Sequence, residues 1–172
     1  MSETEIAIVG CGPKGLYALD SLFEAARRSP RCRFTVHIFE PSAHPGAGPN
    51  YDPRQPEVLL MNFPAGLINA WTDGRGPSFL EWAARSPKPV DAGDYVPRAH
   101  VGRYLFWSFE RVVAQAPSNV RLIRHKTRVE AVNRNGDQWS ISPQNITVDH
   151  VLITTGHQDG FRQSAPETRN HI

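Results

Sequence analysis

Four consecutive apolar residues, Ile6-Ala7-Ile8-Val9, stop abruptly at Gly10. An unbroken run of this length, with no polar alternation, is the pattern of a strand covered on both faces, as in the middle of a parallel sheet. The period then changes. Leu16, Leu19, Leu22, Phe23 and Ala26 recur at helical spacing and make one apolar stripe, which Ser29-Pro30 brings to an end. Phe34 to Glu40 returns to a β-rich run, so residues 6 to 40 read strand, helix, strand. That is a βαβ unit, and its strands are parallel because a tight hairpin cannot hold the helix between them.

Beyond Glu40 the pattern breaks up. Pro41 to Pro56, with Pro45, Pro49 and Pro53 and the glycines Gly46 and Gly48, reads as loop. Phe79 to Arg85 and Ala99 to Ala116 carry helical apolar spacing, the second through Val101, Leu105, Val112 and Val113, and Ser86 to Gly93 is a Pro-rich link between them. Four short β-prone runs follow: Val120 to Ile123, Arg128 to Val132, Trp139 to Ile141 and Ile146 to Val148. They lie too close together to admit crossover helices, and Asn135-Gly136 is a hairpin turn signal, so they predict a β-meander. His150 to Gly156 reads as one more buried strand, after which 16 polar-rich residues remain where an α/β fold would normally continue. The expected fold is α/β: a Rossmann-like parallel sheet with a helical and Pro-rich insertion at about residues 41–118 and a β-meander before the last strand.

Composition narrows the function. With 40% hydrophobic and 21% charged residues the 172-residue chain is ordinarily globular. Its formal charge of +2, without a long Lys or Arg run, gives no case for nucleic acid or an anionic membrane surface, and a small-molecule ligand is the better expectation. Cys11 and Cys32 make no disulfide framework, and the acidic N-terminus and short first apolar run do not form an export signal, so a cytoplasmic protein is expected. The seven histidines show no ligand spacing and no nucleophile elbow is present, which argues against a metal site and against a hydrolase. Cys11 lies near a helix N-terminus, where a thiol pKa can fall, but a small residue packed under the turn accounts for it more simply.

The chemistry concentrates at Gly10-Cys11-Gly12-Pro13-Lys14-Gly15, a GxGxxG motif placed between the first strand and the first helix. Gly10 permits a tight turn, Gly12 lets a pyrophosphate approach the backbone, and Gly15 allows close helix–strand packing, while the helix N-terminus offers free N–H groups. Glu40 closes the second strand, where a carboxylate accepts hydrogen bonds from ribose hydroxyls and repels a 2′-phosphate. The order of strand, glycines, helix, strand and acid makes this a dinucleotide site rather than an incidental glycine turn.

With these residues the chain resembles the N-terminal part of the FAD/NAD(P)-binding flavoproteins related to two-dinucleotide-binding monooxygenases and reductases. The resemblance extends through Gly46-Ala47-Gly48-Pro49-Asn50-Tyr51, Leu60-Met61-Asn62, Pro97 to Leu105, and Ile153-Thr154-Thr155-Gly156, which matches the family's strand ending in Ala-Thr-Gly with Thr for Ala. It implies one FAD-binding domain over residues 1–172, incomplete at its C-terminus. The cofactor-binding positions it implies are Gly10, Gly12, Pro13, Lys14, Gly15, Glu40, Pro41, Gly48, Asn62, Arg98, Arg103, Val129, Thr155 and Gly156.

Several of these roles stay open at the level of sequence. Gly46 and Gly48 let backbone amides approach the cofactor, or form a flexible Pro/Gly loop. Asn62 is a hydrogen-bond partner for the flavin side or substrate, or a turn residue before Phe63-Pro64. Arg98 and Arg103, five apart, do not share a helical stripe, so one of the two is expected at the phosphates. Val129, in the family's strand that pairs with the adenine edge, offers a backbone contact or packs in the core. The four tryptophans, Trp71, Trp82, Trp107 and Trp139, read as core or flavin-shielding residues. The family's second glycine-rich unit for NAD(P)H and its returning C-terminal segment are absent from this chain, so no catalytic residue is named. The resemblance implies the FAD-binding part of a flavin-dependent, monooxygenase-like oxidoreductase in which NAD(P)H reduces the flavin. A second chain or downstream domain would complete the site. The alternative is a non-catalytic module that binds FAD, NAD or ADP.

Overall fold

The elements in chain order are β1 (Glu3–Val9), α1 (Pro13–Arg28), β2 (Arg33–Phe39), α2 (Phe79–Ala83), α3 (Arg98–Ala114), β3 (Val120–His125), β4 (Ala131–Asn135), β5 (Gln138–Ser142), β6 (Ile146–Val148) and β7 (His150–Ile153). They come from a computed structural model that describes residues 3–72, 74–85 and 89–156. Part of the Pro-rich link at 86–93 and the segment after Gly156 lie outside the described residues.

Four strands form a parallel sheet in the order β3-β2-β1-β7. Because side chains alternate across a strand, Ile8, Val36 and Ile38 point to one face and Ala7, Val9 and Phe39 to the other. Helices cover the first face: Leu16, Leu19 and Phe23 of α1 and Tyr104, Leu105 and Phe109 of α3 complete a core with them. The three-stranded antiparallel sheet β4-β5-β6 covers the second, where Ile141 and Val148 meet Ala7, Val9 and Phe39. Burial on both sides is what an unbroken apolar run requires. α1 ends at Ser29, as its stripe predicts, with Arg27 and Arg28 in the last turn. None of the described helices is long and apolar enough to cross a membrane.

Three expectations are corrected. The run at Val120 does not open the meander but pairs in parallel with β2, Phe34 opposite Val120 through Phe39 opposite His125. The insertion carrying α2 and α3 is its crossover, so the meander has three strands. Arg128 to Val132 is not a strand from its start: β4 begins at Ala131, and Val129 lies in the link before it, half-buried against the second core. Finally, β7 joins β1 as expected but among the described residues is the sheet edge rather than a buried strand, with Leu152 43% and Ile153 63% exposed.

Candidate functional site

The parallel strands β1 and β2 end side by side, and the site is built on those ends. Gly10 N–H donates to the Phe39 carbonyl at 2.9 Å, which turns the chain out of β1 with Gly10 at φ +82°. A Cβ on Gly10 would also lie 2.9 Å from the Cα of Thr155, so this position is closed to side chains by conformation and by space. A Cβ on Gly15 would meet the Gly10 carbonyl at 2.6 Å, which is the close helix–strand packing the motif predicts.

Gly12 differs. Its φ is −76°, and a Cβ there would rest 3.4 Å from the Cα of Gly48, an ordinary contact. The fold therefore has room for a methyl group at Gly12. Gly12 is also the N-cap of α1, without a side-chain cap and with no acidic residue in the first turn. Pro13 has no N–H to offer, Leu16 N–H returns to the Gly12 carbonyl, and the amides of Lys14 and Gly15 stand at the positive end of a 16-residue helix. The loop after β2 folds over this turn: Gly46 N–H donates to the Cys11 carbonyl at 2.6 Å and Gly48 packs on Gly12.

Glu40 leaves β2 beside the turn. Its two carboxylate oxygens accept the N–H groups of Cys11, at 2.6 Å, and Ser42, at 2.9 Å, so its side chain is fixed across the glycine loop with lone pairs to spare. Sequence reasoning missed this bracing, since backbone donors carry no residue signature. A pocket of about 190 Å³ adjoins Glu40, with Ser42, Arg124, His125 and Lys126 in its wall. Cys11 is fully buried, and burial, reinforced by the Glu40 charge, pushes its thiol up to about 12. It is a packing residue and not a nucleophile.

The strand end at 153–156 closes the other side. Thr154 N–H donates to the Val9 carbonyl at 2.8 Å, and its hydroxyl donates to the Gly10 carbonyl at 2.5 Å. Threonine where the family pattern has alanine thus pins the glycine turn. Thr155 and Gly156 follow directly, Gly156 at φ +68°. Gly10, Gly12, Pro13, Lys14, Gly15, Glu40, Gly48, Thr155 and Gly156 are therefore brought together, with Pro41 exposed beside Glu40.

Arg98, Arg103 and Asn62 stand on the insertion. Arg98 Nε donates to the Leu60 carbonyl at 3.1 Å, next to the Leu60–Pro97 bridge, and Arg103 faces Glu57 at 3.9 Å. Both thus attach α3 to the 57–60 segment. Asn62 is exposed beside Met61, whose N–H donates to the Val96 carbonyl. It is Asn69 that makes a side-chain turn here, accepting Trp71 N–H at 3.0 Å. Trp71 is a core residue, 5% exposed.

The sequence matches the model of the FAD-NAD(P)-binding family over residues 7–158. This chain belongs to that family. It is 35% identical over 143 residues to nitrosuccinic acid synthase of Aspergillus oryzae, a match that covers 77% of this chain and 22% of that protein. It is 32% identical over 154 residues to an L-aspartate N-monooxygenase (nitrosuccinate-forming) of Streptomyces davaonensis, covering 74% and 24%. The chain thus spans about a quarter of the length of these relatives. Among solved structures, Tmm from Pelagibacter has the same fold, with a TM-score of 0.55 at 20% identity over 90% of this chain and 36% of its own.

Proposed function

We propose that this chain is the FAD-holding domain of a flavin-dependent, monooxygenase-like oxidoreductase that is reduced by NAD(P)H and acts on a small molecule of the amino-acid class named in the Streptomyces relative. The observation that carries the reading is the uncapped N-terminus of α1, roofed by Gly48 and flanked by Glu40.

When bound, FAD supplies the redox chemistry; the chain's residues bind and orient it. The amides of Lys14 and Gly15, with the helix dipole behind them, fit a pyrophosphate that reaches the backbone because Gly12 has no side chain. Glu40, already held by Cys11 and Ser42, presents its remaining lone pairs to the ribose hydroxyls and repels a 2′-phosphate. From Gly48 the contacts run on through Tyr51, whose N–H donates to the Gly48 carbonyl and whose own carbonyl lies against Gly102 of α3. On the same helix, Arg98 donates to the Leu60 carbonyl. On the insertion Val58, Leu59, Leu60, Leu67 and Tyr95 are exposed, Val58 to 81%. We assign these exposed apolar residues to the flavin end and to the further domain or second chain that encloses it. NAD(P)H is assigned to those further segments, and the chain by itself is expected to bind without turning over.

The test is retention and competition. The purified chain, loaded with FAD and passed through gel filtration, is expected to keep the flavin absorbance; ADP is expected to displace it, and ADP carrying a 2′-phosphate to do so far less well. No flavin retained at saturating FAD would reject the assignment.

A further inference from the structure

Three neighbouring strands of the parallel sheet each contribute one ionisable side chain to a single hydrogen-bonded line. His37 of β2 is 8% exposed; its Nε2 lies 2.8 Å from the Glu5 carboxylate of β1, and its Nδ1 lies 2.9 Å from Nε2 of His125 of β3. The His125 ring stacks on Phe39 with centroids 4.4 Å apart. His125 also sits at the site: its carbonyl accepts the Glu40 N–H at 3.0 Å, and it lines the pocket that adjoins Glu40.

The chemistry of the line fixes its protons. A carboxylate only accepts, so with both rings neutral His37 carries its proton on Nε2 and accepts at Nδ1, and His125 then carries its proton on Nε2 and is bare at Nδ1. The line holds only while one ring is neutral, because two cationic rings would face each other N–H to N–H at 2.9 Å. Other charged groups on this face do not relieve the conflict. Glu3 is taken by the Thr35 hydroxyl; Arg121 of β3 is cationic and exposed, as are Lys126 and Arg128 beyond β3; Glu130 is exposed in the link to β4. In the second sheet and its exit, Arg134 lies over Trp139 and Asp149 accepts from Gln138 and from Glu5 N–H. Burial, and then the neighbouring His37, hold His125 below the usual histidine range. With its folded pKa depressed, His125 contributes stability that is present above its unfolded value of about 6.5 and lost as pH falls below it.

We propose that Glu5, His37 and His125 form a proton-sensitive brace that keeps the Glu40 end of the site ordered at neutral pH and releases it in acid. This rests on the reading of that site as dinucleotide-binding.

The experiment is the FAD dissociation constant at pH 7.5 and 5.0 for the parent chain and for His37→Gln, whose amide can still donate to Glu5 and accept from His125 but cannot titrate. The parent is expected to weaken tenfold or more between the two pH values and the variant less than threefold. His125→Gln serves as a second variant with the same expectation, should His37→Gln fail to fold. Equal pH dependence in parent and variants overturns the brace while leaving the dinucleotide reading intact. Absence of FAD binding at pH 7.5 is a failure of that reading instead. In that event the hydrogen-exchange protection factors of the Glu40 and Cys11 amides decide the brace alone. They are expected to fall at pH 5.0 in the parent and not in the variants, and unchanged protection in the parent overturns the brace.

Discussion

Gly10, Gly12 and Glu40 are adjacent in the site but make different demands. Gly12→Ala places its methyl group in ordinary contact with Gly48 while intruding where a pyrophosphate would meet the backbone, so thermal stability is expected to hold and FAD affinity to fall by tenfold or more. Gly10→Ala must hold an alanine at φ +82° and press on the Thr155 backbone. It is expected to lose about 1–3 kcal/mol of stability and the binding with it. Glu40→Gln keeps the shape but exchanges charge-assisted hydrogen bonds for neutral ones, at a cost of about 1–3 kcal/mol in FAD binding. Because Glu40 also fastens Cys11 and Ser42, part of its loss is expected to appear as a lower unfolding temperature without ligand. Calorimetric titration and thermal unfolding of the same three variants separate these outcomes.

Among the elements, α1 is tied to the insertion as firmly as to the sheet. Asp20, 4% exposed on its buried stripe, accepts the Thr72 hydroxyl at 2.8 Å, the Thr72 N–H at 3.3 Å and Arg75 at 3.2 Å, and Glu24 one turn on also pairs with Arg75. Tyr17 donates its hydroxyl to the Asn69 carbonyl at 2.6 Å. Asp20→Ala removes the acceptor of both Thr72 donors and is expected to cost about 2 kcal/mol in denaturant unfolding, with increased proteolysis at residues 69–72.

How much of this could be read from the chain depends on whether the cause was local. The βαβ unit and its glycines were legible because each signal is contiguous: an apolar run, a glycine turn, an apolar stripe. The place of β3 was not, because Val120 to Ile123 has the same β-prone character whether it pairs with a neighbouring hairpin or with β2 across the insertion. Likewise nothing near His37 or His125 announces that strand register sets them side by side, and the exposure of Ile153 is invisible in a run whose composition states only that it is apolar.

For the whole molecule, one sheet serves two cores, with helices on one face and the second sheet on the other, and the site lies where both meet the ends of β1 and β2. Ligand bound there is expected to stabilise the molecule as a unit. At FAD a hundredfold above its dissociation constant, linkage adds about 2.7 kcal/mol, which for a chain of this size raises the unfolding midpoint by about 5–11 °C. A scan in which the midpoint does not move at saturating FAD would count against binding to the folded sheet.

The central claim, that a dinucleotide rests on the turn between β1 and α1, is tested most directly by equilibrium titration of the parent chain and Gly12→Ala with FAD at pH 7.5. The expected result is saturable one-to-one binding by the parent and binding at least tenfold weaker by Gly12→Ala, with the two proteins unfolding at the same temperature in the absence of ligand. Equal affinity in the two, with that same unchanged fold, would contradict the claim and place the nucleotide elsewhere.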